Sequence, residues 1–343
     1  MRGRAAYLIL PLLAALTVAL RSPALFLLTV LLALAAGVTE VWARYCLAGV
    51  SYARRLGADR LAFGEETELW VEVVNAKPLP LAWLRVEDEI PEGLRLRETE
   101  LAPASAPGRR TLTQYLNLRW YERVRRRYRL VGAQRGAHRL GPARLASGDL
   151  FGVRTQSAEA PATQTVLVYP RLVPVAELGL RPARPFGEGK APRRVLTDPL
   201  RVAGARPYLP GDSLRHIHWK ATARQGTLQT KRFEPSADPH LVIALNGQTL
   251  EWAQGGVLPE LFEAGVTAAA SLALAGLEAG RPVGLLTNAA LAGSHWRVRV
   301  PPARHSAQTT RLLEILAQLT VFTLAPFETM LAAEQPRLPY GAT

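Results

Sequence analysis

The organisation of this chain depends on residues 206–224, which read RPYLPGDSLRHIHWKATAR. Residues 210–212 predict a tight turn, because proline fixes one φ angle and glycine relieves the next. Asp212 or Ser213 then offers a side-chain oxygen as the N-cap of a short helix. Within that helix, three residues at helical spacing predict one apolar face: Leu214, Ile217 and Ala221. Residues 228–233 alternate like a strand after the helix closes at Gly226.

Two interpretations of this stretch stay open. In the first, its polar residues form a fixed hydrogen-bonded network that joins two domains, since structural ion-pair networks imitate functional sites. In the second, its basic residues form a docking site for an anionic ligand or for an acidic surface of a partner. The candidate binding residues are Arg206, Tyr208, Asp212, Arg215, Trp219, Lys220 and Arg224.

The same stretch resembles the signature of a bacterial protein family labelled "domain of unknown function 58". The pattern is Arg-x-Tyr-x-Pro-Gly-Asp-x-x-Arg-x-Ile-x-Trp-Lys-x-x-Ala-Arg, followed by a strand like residues 228–234, and every element of it stands here. Family-like runs also occur at residues 120–124 and 135–152, so the resemblance extends over nearly the whole chain. It implies a membrane-anchored protein that works with a MoxR-type AAA+ ATPase. In that arrangement the ATPase supplies energy, and this chain supplies membrane location and a docking surface.

The composition limits the compartment and the class of partner. With 343 residues there is room for two or three domains. Cys46 is the one cysteine, which rules out an internal disulfide and permits a reducing compartment. The net charge is +14, and nearly all of the positively charged residues are arginines. The sequence has no RNA-binding signature, zinc finger or glycine-rich phosphate loop. We therefore expect no nucleic-acid partner.

The N-terminal region, residues 1–45, predicts a transmembrane hairpin of two helices. Residues 5–20 carry no charge, residues 22–43 carry only Glu40, and the stretch between them begins with Arg21 and reads as a tight turn. A secretory signal is the alternative, but a second apolar run directly after the first favours an integral hairpin. Basic residues flank the hairpin on the outside: Arg2, Arg4, Arg44, Arg54, Arg55 and Arg60. The positive-inside rule then predicts a two-pass protein of the inner (plasma) membrane with both termini cytoplasmic.

Residues 55–170 predict an all-β sandwich, because their apolar residues recur with a period of two between turn signals. The predicted strands are residues 68–74, 82–88, 111–118, 124–130 and 165–169. One strand face carries Arg125, Arg127 and Arg129. This face either is an ordinary solvated surface or lies against anionic lipid headgroups, which attract basic side chains.

Residues 171–235 read as a linker followed by the signature module, and residues 236–343 as an α/β domain with a Rossmann-type sheet. The order of elements resembles a von Willebrand factor A domain: strand 241–245, buried on both faces, helix 258–280, strands 282–286 and 296–300, and helix 308–319. The chain stops where the fourth strand of such a domain begins. We therefore expect either a truncated product or a first strand whose free edge is covered by a partner or a second copy.

Two candidate metal sites lack the ligands that a metal ion would need. A von Willebrand A domain that binds magnesium places Asp-x-Ser-x-Ser after its first strand, whereas this chain has Asn246 and Gln248 in a degenerate version of that site. His216 and His218 have no nearby cysteine or further histidine to complete a zinc site. We expect no metal and no other cofactor.

The function predicted from these features is that of a non-enzymatic membrane-anchored scaffold or adaptor in the assembly or maturation of client proteins. Asp212, Ser213 and His216 are close in sequence, but that alone provides neither a nucleophile elbow nor an oxyanion hole. The alternative is a hydrolase or an anionic-ligand-binding enzyme that uses the cluster from Asp212 to Arg224. A neighbouring gene for an AAA+ ATPase would favour the scaffold, and a place in a metabolic operon would favour the enzyme.

Overall fold

The computed structural model describes residues 11–17, 19–20, 22–149, 154–179, 197–235, 240–250, 256–294 and 296–338. The chain divides into two compact units, Met1–Pro170 and Arg171–Thr343. Several sequence-based expectations lie outside the described residues: the basic N-terminus, Arg21 at the turn, the family-like run through residues 150–152, and the strap at residues 180–196.

The first unit begins with apolar helix. Residues 11–17 and 19–20 are helical and precede helix α1 (Pro23–Tyr45), whose one buried residue is Ala43. The length and composition of α1 are sufficient to cross a membrane. The hydroxyls of Thr17 and Thr29 lie 3.2 Å apart, so the two helical segments lie side by side at that level.

A β-sandwich-like body follows, and the predicted strands are confirmed within one to three residues at each end. Its strands are β1 (Val50–Leu56), β2 (Arg60–Leu61), β3 (Glu66–Asn75), β4 (Leu81–Pro91), β5 (Leu94–Leu96), β6 (Ala102–Pro103), β7 (Arg109–Leu118), β8 (Arg123–Gly132), β9 (Gly136–Leu140), β10 (Ala143–Gly148), β11 (Thr155–Ala160) and β12 (Gln164–Val168). They form sheets of order β1-β3-β8-β5, β11-β10-β4-β7-β6 and β2-β12-β9. All pairs are antiparallel except β2 with β12. Alternate residues of these strands share one apolar core, which is why the period of two was visible in the sequence.

Inside this core lies an ion pair between two sheets. Arg54 of β1 donates from Nη1 to Oδ1 of Asp88 on β4 at 2.9 Å, and both side chains are fully buried. The Tyr52 hydroxyl donates to the other carboxylate oxygen at 2.6 Å. Arg54 Nη2 also contacts the carbonyl oxygen of Ala162. The buried charges are therefore paired and hydrogen-bonded, which is the condition under which a core accepts them.

The arginine face of β8 is paired with glutamates. Arg125 pairs with Glu72 of β3 at 2.5 Å, and Arg127 pairs with Glu68 at 3.2 Å. Arg129 pairs with Glu98 at 3.4 Å. The carboxylates cancel much of the positive charge on which a lipid-binding face would depend, so the geometry agrees with the solvated-surface interpretation.

The end of α1 is built into the sandwich. Ala43 and Cys46 are buried, and Cys46 is part of the apolar core. The Lys77 ammonium donates to the Cys46 carbonyl oxygen at 2.5 Å, and Arg154 pairs with Glu40 of the helix. Burial raises the pKa of the Cys46 thiol and lowers the pKa of Lys77. The helix and the sandwich therefore meet as one packed body, and Cys46 is a core residue.

The second unit contains a β-hairpin and an α/β sheet. The hairpin is β13 (Thr197–Pro207) with β14 (Gln229–Pro235), and α2 (Trp219–Gln225) lies in the segment between them. The remaining elements are β15 (Leu241–Leu245), α3 (Pro259–Glu278), β16 (Val283–Thr287), β17 (Ala289–Leu291), β18 (Val298–Ala303), α4 (Ser306–Gln318), β19 (Leu319–Thr323) and α5 (Phe327–Glu334). Both predicted helices and all three predicted strands of this region are confirmed with small shifts at their ends.

The sheet has the order β15-β16-β18, in which β15 is parallel to β16 and β18 is antiparallel to it. Phe262, Val266 and Leu316, from helices α3 and α4, share one apolar cluster with alternate residues of the strands. Arg299 of β18 lies in the other phase and pairs with Glu334 of α5 at 3.3 Å. Helix α3 is also long and apolar enough to cross a membrane, but its residues are part of this core.

β15 differs from the strand that its apolar run predicted. It lies at the edge of the sheet among the described residues, and Ala244 is exposed rather than buried. The expectation that both faces of this strand are buried was therefore wrong. The apolar run has one face under α3, and burial of the other face requires a covering layer that sequence periodicity cannot reveal.

Candidate docking site in the signature module

The frame of the candidate site is the ladder between β13 and β14. Arg206 pairs with Thr230, and Pro207 pairs with Gln229, so residues 208–228 form one excursion from the hairpin. The backbone N–H of Tyr208 donates to the Leu228 carbonyl oxygen at 2.9 Å and closes the base of this excursion. We call residues 206–230 the signature module.

Asp212 holds the turn of the module in place. Its Oδ1 accepts from Arg206 Nη2 at 2.6 Å, and its Oδ2 accepts from the Leu209 N–H at 3.0 Å and from the Thr230 hydroxyl at 3.2 Å. The Asp212 N–H donates back to the Leu209 carbonyl oxygen, which confirms the predicted tight turn. The hydrogen bond from Arg206, followed by the one from Leu209, lowers the pKa of Asp212 to about 2.

The helix of the module is shorter than the sequence predicted. A single 3-10 turn, Leu214–His216, comes first, and Ile217 is extended and bridges to Thr230 before α2 begins. The His218 N–H donates to the Gln229 carbonyl oxygen at 2.7 Å, so pairing with β14 replaces the expected helical hydrogen bonds. The predicted apolar face is therefore wrong, since Ile217 is buried while Leu214 is 69% exposed.

The N-cap assignment was also wrong. Ser213 makes no side-chain capping bond to the 3-10 turn, and the Asp212 carboxylate accepts instead from the Leu209 N–H, which precedes the turn. His218 caps α2 instead, because its Nδ1 accepts from the Ala221 N–H at 3.2 Å. Gly226, with φ of 71°, ends α2 in the left-handed conformation that glycine tolerates.

Four of the seven candidate residues are exposed on this frame: Arg215, Trp219, Lys220 and Arg224. Within the part of the chain that the structure describes, none of their side chains makes a hydrogen bond or ion pair. Tyr208 is half-buried, and Arg206 is committed to Asp212. The structure thus separates the seven residues into three groups: a fixed pair, Arg206 with Asp212; half-buried Tyr208; and the four exposed basic and aromatic residues.

That surface also contains apolar side chains that sequence reasoning did not single out as binding residues. Leu209, Leu214 and Leu228 are exposed in the same module as Trp219, which is 69% exposed. Apolar side chains left in water next to unpaired basic groups are typical of protein-binding surfaces. For Leu209, the signal was the predicted turn at residues 210–212, which places the preceding residue on a solvent-exposed loop.

The degenerate metal site is filled by hydrogen bonds within the protein. Asn246 Oδ1 accepts from the Gln248 N–H at 2.9 Å and from Asn288 Nδ2 at 3.2 Å, and Gln248 Nε2 donates to the Leu250 carbonyl oxygen. Buried Asn288 also accepts from the Gly247 N–H at 2.7 Å and donates to the Ala325 carbonyl oxygen. Asn288 therefore joins the loops that follow three strands, a role that its sequence context did not indicate.

Comparison with known proteins gives relatives without an assigned activity. The uncharacterized protein YeaD of Bacillus subtilis is 27% identical over 206 residues, which are 60% of this chain and 49% of YeaD. This chain thus spans about half the length of the curated relative it matches.

Solved structures align with about a third of the chain. A CARDB domain from Pyrococcus furiosus covers 35% of this chain and 91% of its own, with 14% identity and a TM-score of 0.24. A cohesin module from a Clostridium perfringens family 33 glycoside hydrolase covers 35% of this chain and 96% of its own, with 14% identity and a TM-score of 0.25. TM-scores this low establish no common fold.

The signature module lies within a longer match to one family model. Residues 204–337, from the end of β13 through α5, match the family described as "Protein of unknown function DUF58". The match includes the turn, α2, β14 and the α/β sheet. The family label predicted from the signature pattern is therefore supported over residues 204–337, the part of the chain that matches the DUF58 model.

Proposed function

We propose that this protein is a non-enzymatic, membrane-anchored adaptor that binds an acidic partner protein through its signature module. The observation that carries the proposal is the exposure of Arg215, Trp219, Lys220 and Arg224 without partners among the described residues. Tryptophan and arginine are the residue types that most often dominate the binding energy of protein interfaces. The unpaired positive charges suit a surface of carboxylates.

The rigidity of the frame supports the same proposal. Asp212 receives three hydrogen bonds, so the exposed residues extend from a turn whose geometry is already fixed before binding. A preorganised surface loses less entropy on association. The same three bonds argue against the hydrolase, because a carboxylate with a pKa of about 2 is a poor general base and its oxygens are occupied.

We propose that the anchor is a two-pass hairpin in the inner membrane with both termini cytoplasmic. The proposal draws on the length of α1, on its lack of buried residues before Ala43, and on the contact of Thr17 with Thr29. Small and hydroxylated side chains are common where transmembrane helices pack. The arginines outside the two apolar segments give the orientation.

We propose a MoxR-type AAA+ ATPase as the partner, as the family resemblance implies. The α/β sheet would be an incomplete von Willebrand A-like domain, and its strand order, with β15 parallel to β16, supports this reading. The edge of β15, which pairs with no second strand among the described residues, would accept a partner strand or a second copy of the chain. The adaptor would hold the ATPase at the membrane during assembly or maturation of client proteins.

The test is co-purification of the full chain in detergent with a co-expressed MoxR-type ATPase from the same organism. Trp219→Ala is expected to weaken binding by about 2 kcal/mol, or roughly thirtyfold, as a central hot-spot residue does. The double variant Arg215→Glu/Lys220→Glu reverses two unpaired charges and is expected to abolish recovery. Arg311→Glu, at an exposed position on α4, is the matched control.

Unchanged recovery of the ATPase with both module variants would contradict the docking proposal. Loss of recovery with Arg311→Glu as well would show that net charge, and not the module, governs the interaction.

A further inference from the structure

We propose that residues 119–123, the turn between β7 and β8 together with the first residue of β8, are a second membrane contact that inserts into the headgroup layer of an anionic bilayer. The proposal rests on insertion of α1, which belongs to the proposed function. It is carried by a different part of the chain, because the turn lies in the first unit, whereas the signature module lies in the second.

The turn is bonded to the base of α1. The Tyr121 N–H donates to the Lys77 carbonyl oxygen at 3.2 Å, and the Lys77 ammonium donates to the carbonyl oxygen of Cys46, the residue after α1. Trp42 of α1 lines a groove together with Arg119 and Glu122 of the turn. The turn is therefore fixed beside the last turn of the candidate membrane helix.

The depth of the turn follows from the length of the helix. With 23 residues, α1 is about 34 Å long, and the hydrocarbon core of a bilayer is about 30 Å thick. If the helix crosses that core from Pro23, then Trp42 and Arg44 fall at its far boundary. A turn joined to Cys46 then lies in the headgroup layer on that side.

The exposed side chains of the turn suit this layer. Trp120 is 66% exposed and Tyr121 is 69% exposed, although each is large and apolar over most of its surface. Tryptophan and tyrosine concentrate at membrane–water boundaries because one end of the ring system is apolar and the other donates a hydrogen bond. Arg119 and Arg123 flank the pair and suit lipid phosphates.

The local charges leave Arg119 available. Glu122 accepts from the Arg119 N–H at 2.6 Å, which binds this carboxylate to the backbone of the turn. Arg123 pairs with Glu72 at 3.5 Å, the longest of the arginine–glutamate distances along β8, and its side chain remains 57% exposed. The turn therefore presents aromatic rings beside Arg119 and the exposed side chain of Arg123.

The chain provides a matched control at the opposite end of β8. Phe63 is an exposed aromatic residue in a turn, and the adjacent Gly64 N–H donates to the carbonyl oxygen of Gly132, the last residue of β8. Since β8 has ten residues, the two turns are about 30 Å apart along the strand. Phe63 should therefore stay in water when residues 119–123 are in the headgroup layer.

The experiment uses the full chain reconstituted in vesicles of phosphatidylcholine and phosphatidylglycerol, with an environment-sensitive dye at Tyr121→Cys or Phe63→Cys. Native Cys46 is completely buried and does not compete for the label. Lipids that carry a nitroxide on the headgroup are expected to quench the dye at position 121 several-fold more than the dye at position 63. Adding Trp120→Ser to Tyr121→Cys is expected to reduce that quenching, as is omission of phosphatidylglycerol.

A third label, at Leu34→Cys on the exposed face of α1, separates this inference from the anchor itself. Quenching of Leu34→Cys by an acyl-chain nitroxide, without headgroup quenching at position 121, would overturn the second contact and leave the anchor intact. No quenching at position 34 would overturn both. Shielding at position 121 that appears only after a protein partner is added would assign the turn to that partner and overturn the lipid contact.

Discussion

Asp212 and Arg215 have opposite roles, although both belong to the same signature pattern. Asp212 is bonded to Arg206, Leu209 and Thr230, whereas Arg215 is exposed. Removal of the Asp212 charge should therefore loosen the turn, and removal of Arg215 should affect only binding. An exposed side chain of this kind contributes within about 0.5 kcal/mol to the free energy of unfolding.

Asp212→Asn is expected to increase hydrogen exchange in peptides that cover residues 206–230 at neutral pH. In the native chain the lowered pKa of Asp212 means that its stabilising contribution is complete above pH about 4 and is lost as the pH falls towards about 2. Protection factors for these peptides should fall over that range in the native chain and change less in Asp212→Asn. Hydrogen–deuterium exchange with mass spectrometry makes the measurement.

Arg215→Ala is the control for this prediction, and its exchange should match that of the native chain. Equal exchange in native protein and in Asp212→Asn would show that the three hydrogen bonds do not hold the turn. Faster exchange in Arg215→Ala would instead favour the interpretation in which the polar residues of this stretch, Arg215 included, form a fixed hydrogen-bonded network.

Among the strands, β1 and β4 each place a charged residue in the inward phase. Tyr52 and Arg54 alternate with exposed Ser51 and Ala53 along β1, and Asp88 occupies the inward phase of β4. The sequence contained this signal, since a lone charge in the apolar phase of a strand needs a buried partner. The ion pair between Arg54 and Asp88 joins strands of two different sheets. The packing of these sheets in the sandwich therefore determines which strand supplies the partner.

Asp88→Ala is expected to lower the free energy of unfolding of the first unit by about 3–5 kcal/mol, because it leaves the buried guanidinium of Arg54 without its carboxylate. The double variant Arg54→Leu/Asp88→Leu should recover part of this loss, since it removes both charges. Denaturant unfolding of the full chain in detergent, followed by tryptophan fluorescence, measures the two values. A double variant no more stable than Asp88→Ala would mean that the contacts of Arg54 to backbone carbonyls matter more than its charge pairing.

Helix α1 continues into a packed domain without an intervening linker. Ala43 and Cys46 are buried, and Glu40 pairs with Arg154. In the proposed anchor, the orientation of α1 would therefore fix the side of the membrane on which the first unit lies. The arginine distribution predicts that this side is the cytoplasm.

A fluorescent protein fused after residue 343 is expected to be fluorescent, and alkaline phosphatase at the same position is expected to be inactive, because the second requires export. The matched fusion point is residue 21, between the two apolar segments, where the predicted activities are reversed. Active phosphatase after residue 343 would contradict the orientation. Equal behaviour at both positions would contradict the hairpin.

Elements with a local pattern could be read directly from the sequence. The strands of the sandwich and helices α3 and α4 were predicted because burial of one face leaves a period of two or 3.6 in the chain. The turn at residues 210–212 followed from its proline and glycine, and the family resemblance from the signature pattern. The partners across space emerged from the folded structure. Pairing of Ile217 with Thr230 interrupts the predicted helix, the β3 and β5 regions supply glutamates to the arginines of β8, and the sandwich joins Arg54 to Asp88. The contacts of the β8 arginines and of Arg54 with Asp88 join residues far apart in the chain, so they depend on which strands are neighbours, and no short stretch of sequence records that. The bridge between Ile217 and Thr230 lies within the signature module and depends on how this segment folds back onto β14.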